Sequence, residues 1–125
     1  MAKMAANPHG IRCRIYGIKN CDTMKKAFAW LDANGIEYTF VDYKKAGVAA
    51  EHLPDWINRA GWEKLLNTRG LMWKKLADAE RANVDEAKAK MLMETYPSII
   101  KRPVLDTGKK VLVGFDPEIY ARTLL

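Results

Sequence analysis

Residues 11–43 place a strand pattern, a helix pattern and a second strand pattern in direct succession, an order that leaves few folds open. Ile11-Arg-Cys-Arg-Ile-Tyr-Gly17 reads as a short strand ending at a glycine. Asn20-Cys21-Asp22-Thr23 follows as a turn with capping residues. From Met24 to Asn34, Met24, Ala27, Phe28 and Leu31 fall on one apolar stripe at helical spacing, and Asn34-Gly35 supplies the stop. Ile36 to Tyr43 alternates around β-branched and aromatic residues as a second strand. Two strands joined by one helix pair in parallel through a right-handed crossover, with the helix on one face of the sheet.

The remaining segments extend this unit. Leu53, Trp56, Ile57 and Ala60 form a second helical stripe, in which Pro54 fits only the first turn and Gly61 ends the helix. Trp62 to Leu76 reads as short helical pieces. Asn83-x-x-Glu86 is a capping box that opens a helix running until Tyr96-Pro97. Val104 to Asp106 and Val111 to Gly114 flank Thr107-Gly-Lys-Lys110 as a hairpin, and Asp116-Pro117-Glu118 starts a last helix with aspartate as N-cap. The order β-α-β, helices, β-β-α predicts an α/β fold: a thioredoxin-like mixed sheet with a helical insertion before its hairpin. Pro103 starts the third strand, where a missing N–H is tolerable, and a cis Arg102–Pro103 bond is in keeping with that fold. At 125 residues the chain reads as a single domain over 11–125, preceded by a disordered tail over 1–10 that shows no periodicity.

Several function classes drop out on composition. The net charge of +6 is spread along the chain, without helix-turn-helix, zinc-finger or aromatic-basic RNA signatures. No nucleic-acid partner is expected, and small anions suit the charge. No apolar run approaches the ~20 residues of a membrane span, and no signal-like apolar region stands at the N-terminus. The expectation is a cytoplasmic monomer without membrane attachment. His9 and His52 stand alone, so no metal site is expected. The strand between Cys13 and Gly17 alone spans ~13 Å. A disulfide needs Cα atoms within ~7 Å, so Cys13 and Cys21 should not pair, and Cys13 reads as a small apolar residue of a central strand.

Cys21 is the residue with chemical promise. In a sheet of this kind a side chain after the first strand lies at the carboxyl edge, where ligands bind. At a strand-to-helix turn its sulfur faces the unsatisfied N–H groups of the first helical turn, which with the macrodipole stabilise a thiolate. Lys19, Lys25 and Lys26 add positive charge, and Asp22 opposes it. Two readings stay open on these residues, an activated nucleophile and a buried, inert cysteine.

Three separated blocks, I-Y-G-I-K-N-C-D-T-M-K-K-A, G-W-E-K-L-L-N-T-R-G and I-I-K-R-P-V-L, resemble the arsenate reductase (ArsC) family over about residues 11–122. They are most similar to its YffB subgroup, proposed to be glutathione-dependent thiol reductases. The resemblance implies that Cys21 is the catalytic cysteine. It implies that Arg69 and Arg102 form the oxyanion site, with Asn20 and Thr23 completing the substrate-binding set. Arginine suits this work, because its planar, permanently charged fork matches tetrahedral oxyanions and carboxylates. There is one departure. Arsenate reductases of the family carry a further arginine after the late glycine, in a Gly-Arg-Pro context, where this chain has Gly114-Phe115-Asp116-Pro117. Phe115 reads either as a substrate contact or as core filling after the last strand.

The resemblance therefore implies an oxidoreductase without bound cofactor, acting on a small anionic or disulfide substrate. Its Cys21 adduct would be resolved by glutathione as reducing co-substrate, with glutaredoxin as a partner. The alternatives are a true arsenate reductase coupled to glutaredoxin, and a non-catalytic regulator of the Spx kind that binds RNA polymerase. Many Spx proteins use a Cys-x-x-Cys switch at the first turn, which this chain lacks because Met24 stands at its second position.

Overall fold

The computed structural model describes residues 12–125. The tail expected over 1–10, His9 and Ile11 lie outside the described residues. In chain order the elements are β1 (Arg12–Gly17), α1 (Asp22–Ala33), β2 (Glu37–Asp42), α2 (Val48–Ala60), α3 (Trp62–Leu65), α4 (Leu71–Lys75), α5 (Asp78–Arg81), α6 (Glu86–Thr95), a 3-10 turn at Pro97–Ile99, β3 (Val104–Asp106), β4 (Val111–Val113) and α7 (Pro117–Leu124). The described residues form two compact units: those up to Asp42 together with Arg102–Leu125, and Tyr43–Lys101.

The first unit holds the sheet, in the order β2-β1-β3-β4. β1 runs parallel to β2 with Ile15 opposite Phe40, and antiparallel to β3 with Tyr16 opposite Val104. β3 and β4 form the expected hairpin. This is the thioredoxin-like arrangement of the α/β class. Its core joins Cys13 and Ile15 of β1, Met24, Ala27 and Leu31 of α1, Leu105 of β3, and Tyr120 and Leu124 of α7. The apolar stripe of α1 is thus the face laid on the sheet, while Phe28 stacks on Tyr38 of the edge strand with ring centroids 5.4 Å apart. Asp116 caps α7 as its sequence position demands, accepting from the Glu118 N–H at 2.9 Å with Pro117 in the first turn. Both cysteines are free thiols. Cys13 is buried, and that burial, followed by the nearby Asp106 carboxylate, pushes its thiol up to about 11.

The second unit is the helical insertion. Leu53, Trp56 and Ile57 of α2 are buried, as are Leu65, Leu66, Ala89, Leu92, Met93, Ile99 and Ile100. α2 packs against α3 and α6. The segment before Arg102 is held within this unit by two bonds: the Lys101 N–H donates to the Leu65 carbonyl at 2.7 Å, and the buried Tyr43 hydroxyl donates to the Ile100 carbonyl at 2.6 Å.

Local expectations fail in three places, each for a physical reason. The first helix starts at Asp22, not Met24, because the chain turns out of its extended conformation directly after Cys21 (φ −141°, ψ 132°). Pro54 is the seventh residue of α2, well past the first turn, because Gly47 at φ 82° opens that helix upstream at Val48. The missing N–H leaves the Ala50 carbonyl without its helical donor, but Ala50 and Pro54 are both exposed, so water can serve it. The capping box at Asn83 does not form. Asn83 takes a left-handed turn (φ 52°), and Asp85 caps α6 instead, accepting from the Lys88 N–H at 2.9 Å. Aspartate one residue before the helix needs no glutamate partner to satisfy that donor.

Candidate functional site

The site grows from the carboxyl end of β1. Gly17 closes the strand, Ile18 to Asn20 form a short bend, and Cys21 is the N-cap of α1. Lys19 and Asn20 are exposed, and the Cys21 side chain is partly exposed. The helix closes directly behind it, with the Lys25 N–H donating to the Cys21 carbonyl at 3.0 Å. Cys21 thus occupies the position where an oxygen-bearing side chain caps a helix, with a sulfur in its place.

Arg102 reaches the same place through sheet register. It lies 81 residues downstream of Cys21, two residues before Val104, and Val104 pairs with Tyr16 near the end of β1. Antiparallel pairing therefore carries the segment before β3 to the carboxyl end of β1. The Arg102–Pro103 bond is cis, and Pro103 is buried at the start of β3.

Partial burial pushes the Cys21 thiol up, and the groups around it overturn that effect. The Met24 N–H, the Arg102 side chain and the Thr23 N–H act on the sulfur as hydrogen-bond donors, and the Arg102 charge adds to them. The net result is a thiol held below its ordinary value. The sulfur makes no strict cap bond to the first turn, so these donors act through proximity and charge more than through ideal geometry. A partly exposed sulfur whose thiol is lowered matches the activated reading of Cys21 better than that of a buried, inert cysteine.

The other expected residues fall as follows. Thr23 contributes its backbone N–H to the sulfur, and its side chain is exposed. Asn20 is exposed in the bend. Arg69 belongs to the second unit and is exposed in the turn between α3 and α4. There the Asn67 side chain accepts from the Arg69 N–H at 3.1 Å. Gly70 leaves room for it, since a Cβ there would stand 2.9 Å from Asn67 Nδ2. That accounts structurally for asparagine and glycine in Asn67-Thr-Arg-Gly70. Met24 is the participant that apolar periodicity concealed. Its side chain is core, but its N–H is the foremost donor to the sulfur, a role signalled only by its place three residues after the N-cap. Phe115 is half-buried and packs edge-on against Tyr120, with ring centroids 4.9 Å apart, so it fills the core after the last strand. Among the described residues no group of three or more His, Cys, Asp or Glu side chains is placed to hold a metal ion, and no helix is long and apolar enough to cross a membrane.

A model of the ArsC family matches residues 16–123, from the end of β1 to the last turn of α7. The chain belongs to the ArsC family. The match runs through both compact units and includes Cys21, Arg69 and Arg102. A solved structure named YFFB protein is 50% identical to this ArsC-family chain, with a TM-score of 0.85, and covers 90% of it and 99% of its own chain. An arsenate reductase (ArsC) related protein of Brucella melitensis is also 50% identical, with a TM-score of 0.74 over 94% of this chain and 99% of its own. Among curated relatives, a protein of Haemophilus influenzae is 36% identical over 106 residues, covering 85% of this chain and 93% of its own. The global transcriptional regulator Spx of Streptococcus pneumoniae is 26% identical over 102 residues, covering 79% and 75%. The fold is that of arsenate reductases.

Proposed function

We propose that this ArsC-family chain is a glutathione-dependent thiol oxidoreductase of the cytoplasm, acting on glutathione mixed disulfides through Cys21. The observation that carries the proposal is the convergence of two first-turn N–H groups and Arg102 on a partly exposed sulfur. The thiolate attacks the glutathionyl sulfur of a mixed disulfide, forms a Cys21–glutathione disulfide and expels the other thiolate. A glutathione thiolate, delivered directly or through glutaredoxin, then attacks that adduct, regenerates Cys21 and leaves as glutathione disulfide. An external thiol is needed because Cys13 is buried in the core and its thiol is held protonated. Arg102 and Arg69 are proposed to bind the anionic groups of the substrate, with Asn20 and Thr23 in the turn beside it.

Phe115 sets the preference between substrates. Where the arsenate reductases of the family place an arginine, this ring serves the core. An arsenate adduct on Cys21 would therefore face one guanidinium fewer, whereas a glutathionyl group carries its charge on carboxylates farther from the sulfur. Steady-state turnover of arsenate and of a glutathione mixed disulfide, with glutathione and glutaredoxin supplied, tests the reading. The mixed disulfide should be the better substrate. Phe115→Arg should raise arsenate turnover by about one to two decades, the effect of one charged hydrogen bond, and change the disulfide reaction little. The lost contact with Tyr120 should cost about 1 kcal/mol of stability. Vigorous arsenate reduction by the unaltered chain would establish the arsenate reductase alternative. The Spx relative supports a regulatory alternative, which stable capture of RNA polymerase by a chain without turnover would select.

A further inference from the structure

The last residue of β1 is glycine for a reason that its backbone does not supply. Five other glycines of the described chain have positive φ, and Gly17 is not one of them, so an ordinary residue could adopt its conformation. What Gly17 lacks is room. A Cβ built there would stand 2.7 Å from Met24 Cε, in hard contact with Met24 Sδ, and 3.5 Å from Met24 Cγ. The Met24 side chain lies where the side chain of residue 17 would be. Met24 is completely buried, and interiors are packed too densely for a buried side chain to swing aside without displacing its neighbours.

The same Met24 presents the backbone N–H that acts on Cys21. The bend between the two elements contains the exposed Lys19 and Asn20, and packing of Met24 on Gly17 is the contact that brings the first turn of α1 against the last residue of β1, beside the wider packing of α1 on Cys13 and Ile15. We propose that Gly17 is a positioning residue for Cys21: its missing side chain seats Met24, and the seated Met24 holds the first-turn N–H groups beside the sulfur. The proposal rests on the reading of Cys21 as a thiolate nucleophile and adds the device that keeps the thiolate favoured. A methyl group at position 17 pushes Met24 outward, takes the start of α1 with it and withdraws donors from the sulfur.

The test is the pH dependence of Cys21 alkylation by iodoacetamide in the full chain, read by mass spectrometry of the Cys21 peptide, with thermal unfolding alongside. Cys13 does not interfere, being buried and ionising only near 11. In Gly17→Ala the alkylation midpoint should rise by about one pH unit, leaving roughly a tenth of the thiolate at a pH below both midpoints. Adding Met24→Ala should return the midpoint most of the way to the parent value, because the new methyl group then has space. A purely structural role would lower the melting temperature of Gly17→Ala without moving the midpoint, and that result overturns the proposal. So does a raised midpoint that Met24→Ala fails to restore, since the effect would then not pass through Met24. If Gly17→Ala does not fold, the double variant carries the test. A folded double variant with a near-parent midpoint supports the proposal, and an unfolded or still shifted one overturns it. The parent chain separates the two layers: a parent midpoint at the free-thiol value defeats the thiolate reading itself, whatever Gly17 does.

Discussion

Cys21→Ser is expected to lower turnover of a glutathione mixed disulfide by at least about a thousandfold, to the rate of glutathione alone, while leaving the fold intact. Serine oxygen cannot accept the glutathionyl sulfur in exchange, so the covalent step is lost outright and not merely slowed. The stability half of this expectation is as informative as the kinetic half. Cys21 is an N-cap without a strict cap bond, and serine is among the best N-cap residues. The variant should therefore match the parent in urea unfolding or exceed it by up to about 1 kcal/mol. Lost activity with retained or increased stability would show that this position gives up capping strength to keep a sulfur. Turnover retained in Cys21→Ser would move the nucleophile elsewhere and sink the proposed function.

Arg102→Ala should lower kcat/KM by roughly 10- to 150-fold, the range of one charge-assisted hydrogen bond. Two effects combine in that number, and pH separates them. Arg102 lowers the Cys21 thiol both as a donor and as a charge, so its removal raises the midpoint. That part of the loss is greatest below the new midpoint and vanishes above it, where both proteins are fully thiolate. The part due to weaker binding of an anionic substrate persists at every pH. Arg102→Lys should recover most of the first part and less of the second, because charge is restored but the planar fork is not. Parent kinetics in Arg102→Ala at all pH values would remove this arginine from the site.

How far these features could be read from the residues differs sharply along the chain. The hairpin and the α7 cap were legible because turn and cap chemistry is local: Thr107-Gly-Lys-Lys110 between two apolar runs, and Asp116-Pro117 ahead of a helix, each carry their own instructions. Asn83 and Pro54 misled because several local options compete there. Asp85 offers α6 a simpler cap than Asn83 does, and an exposed helix face tolerates a proline that a buried one would not. Cys21 was legible as a candidate from its place after β1. The partnership with Arg102 was not, because 81 residues of separation are closed only by the pairing of Tyr16 with Val104. Resemblance to the family pointed to Arg102, and register explains it. The work of Met24 was hidden for a different reason. Apolar spacing describes side chains, while what Met24 brings to the sulfur is its backbone.

The central claim is that this fold holds Cys21 as a reactive thiolate, and the alkylation rate of Cys21 against pH in the parent chain measures it most directly. A thiol lowered by N–H donors and a guanidinium ionises at lower pH than a free one, so the rate should climb with pH through a midpoint below the free-thiol value of about 8.5 and then level off. Over the plateau Cys21 should be the only cysteine modified, with Cys13 protected by burial. A rate still rising through 8.5, with its midpoint at or above that value, would contradict the account.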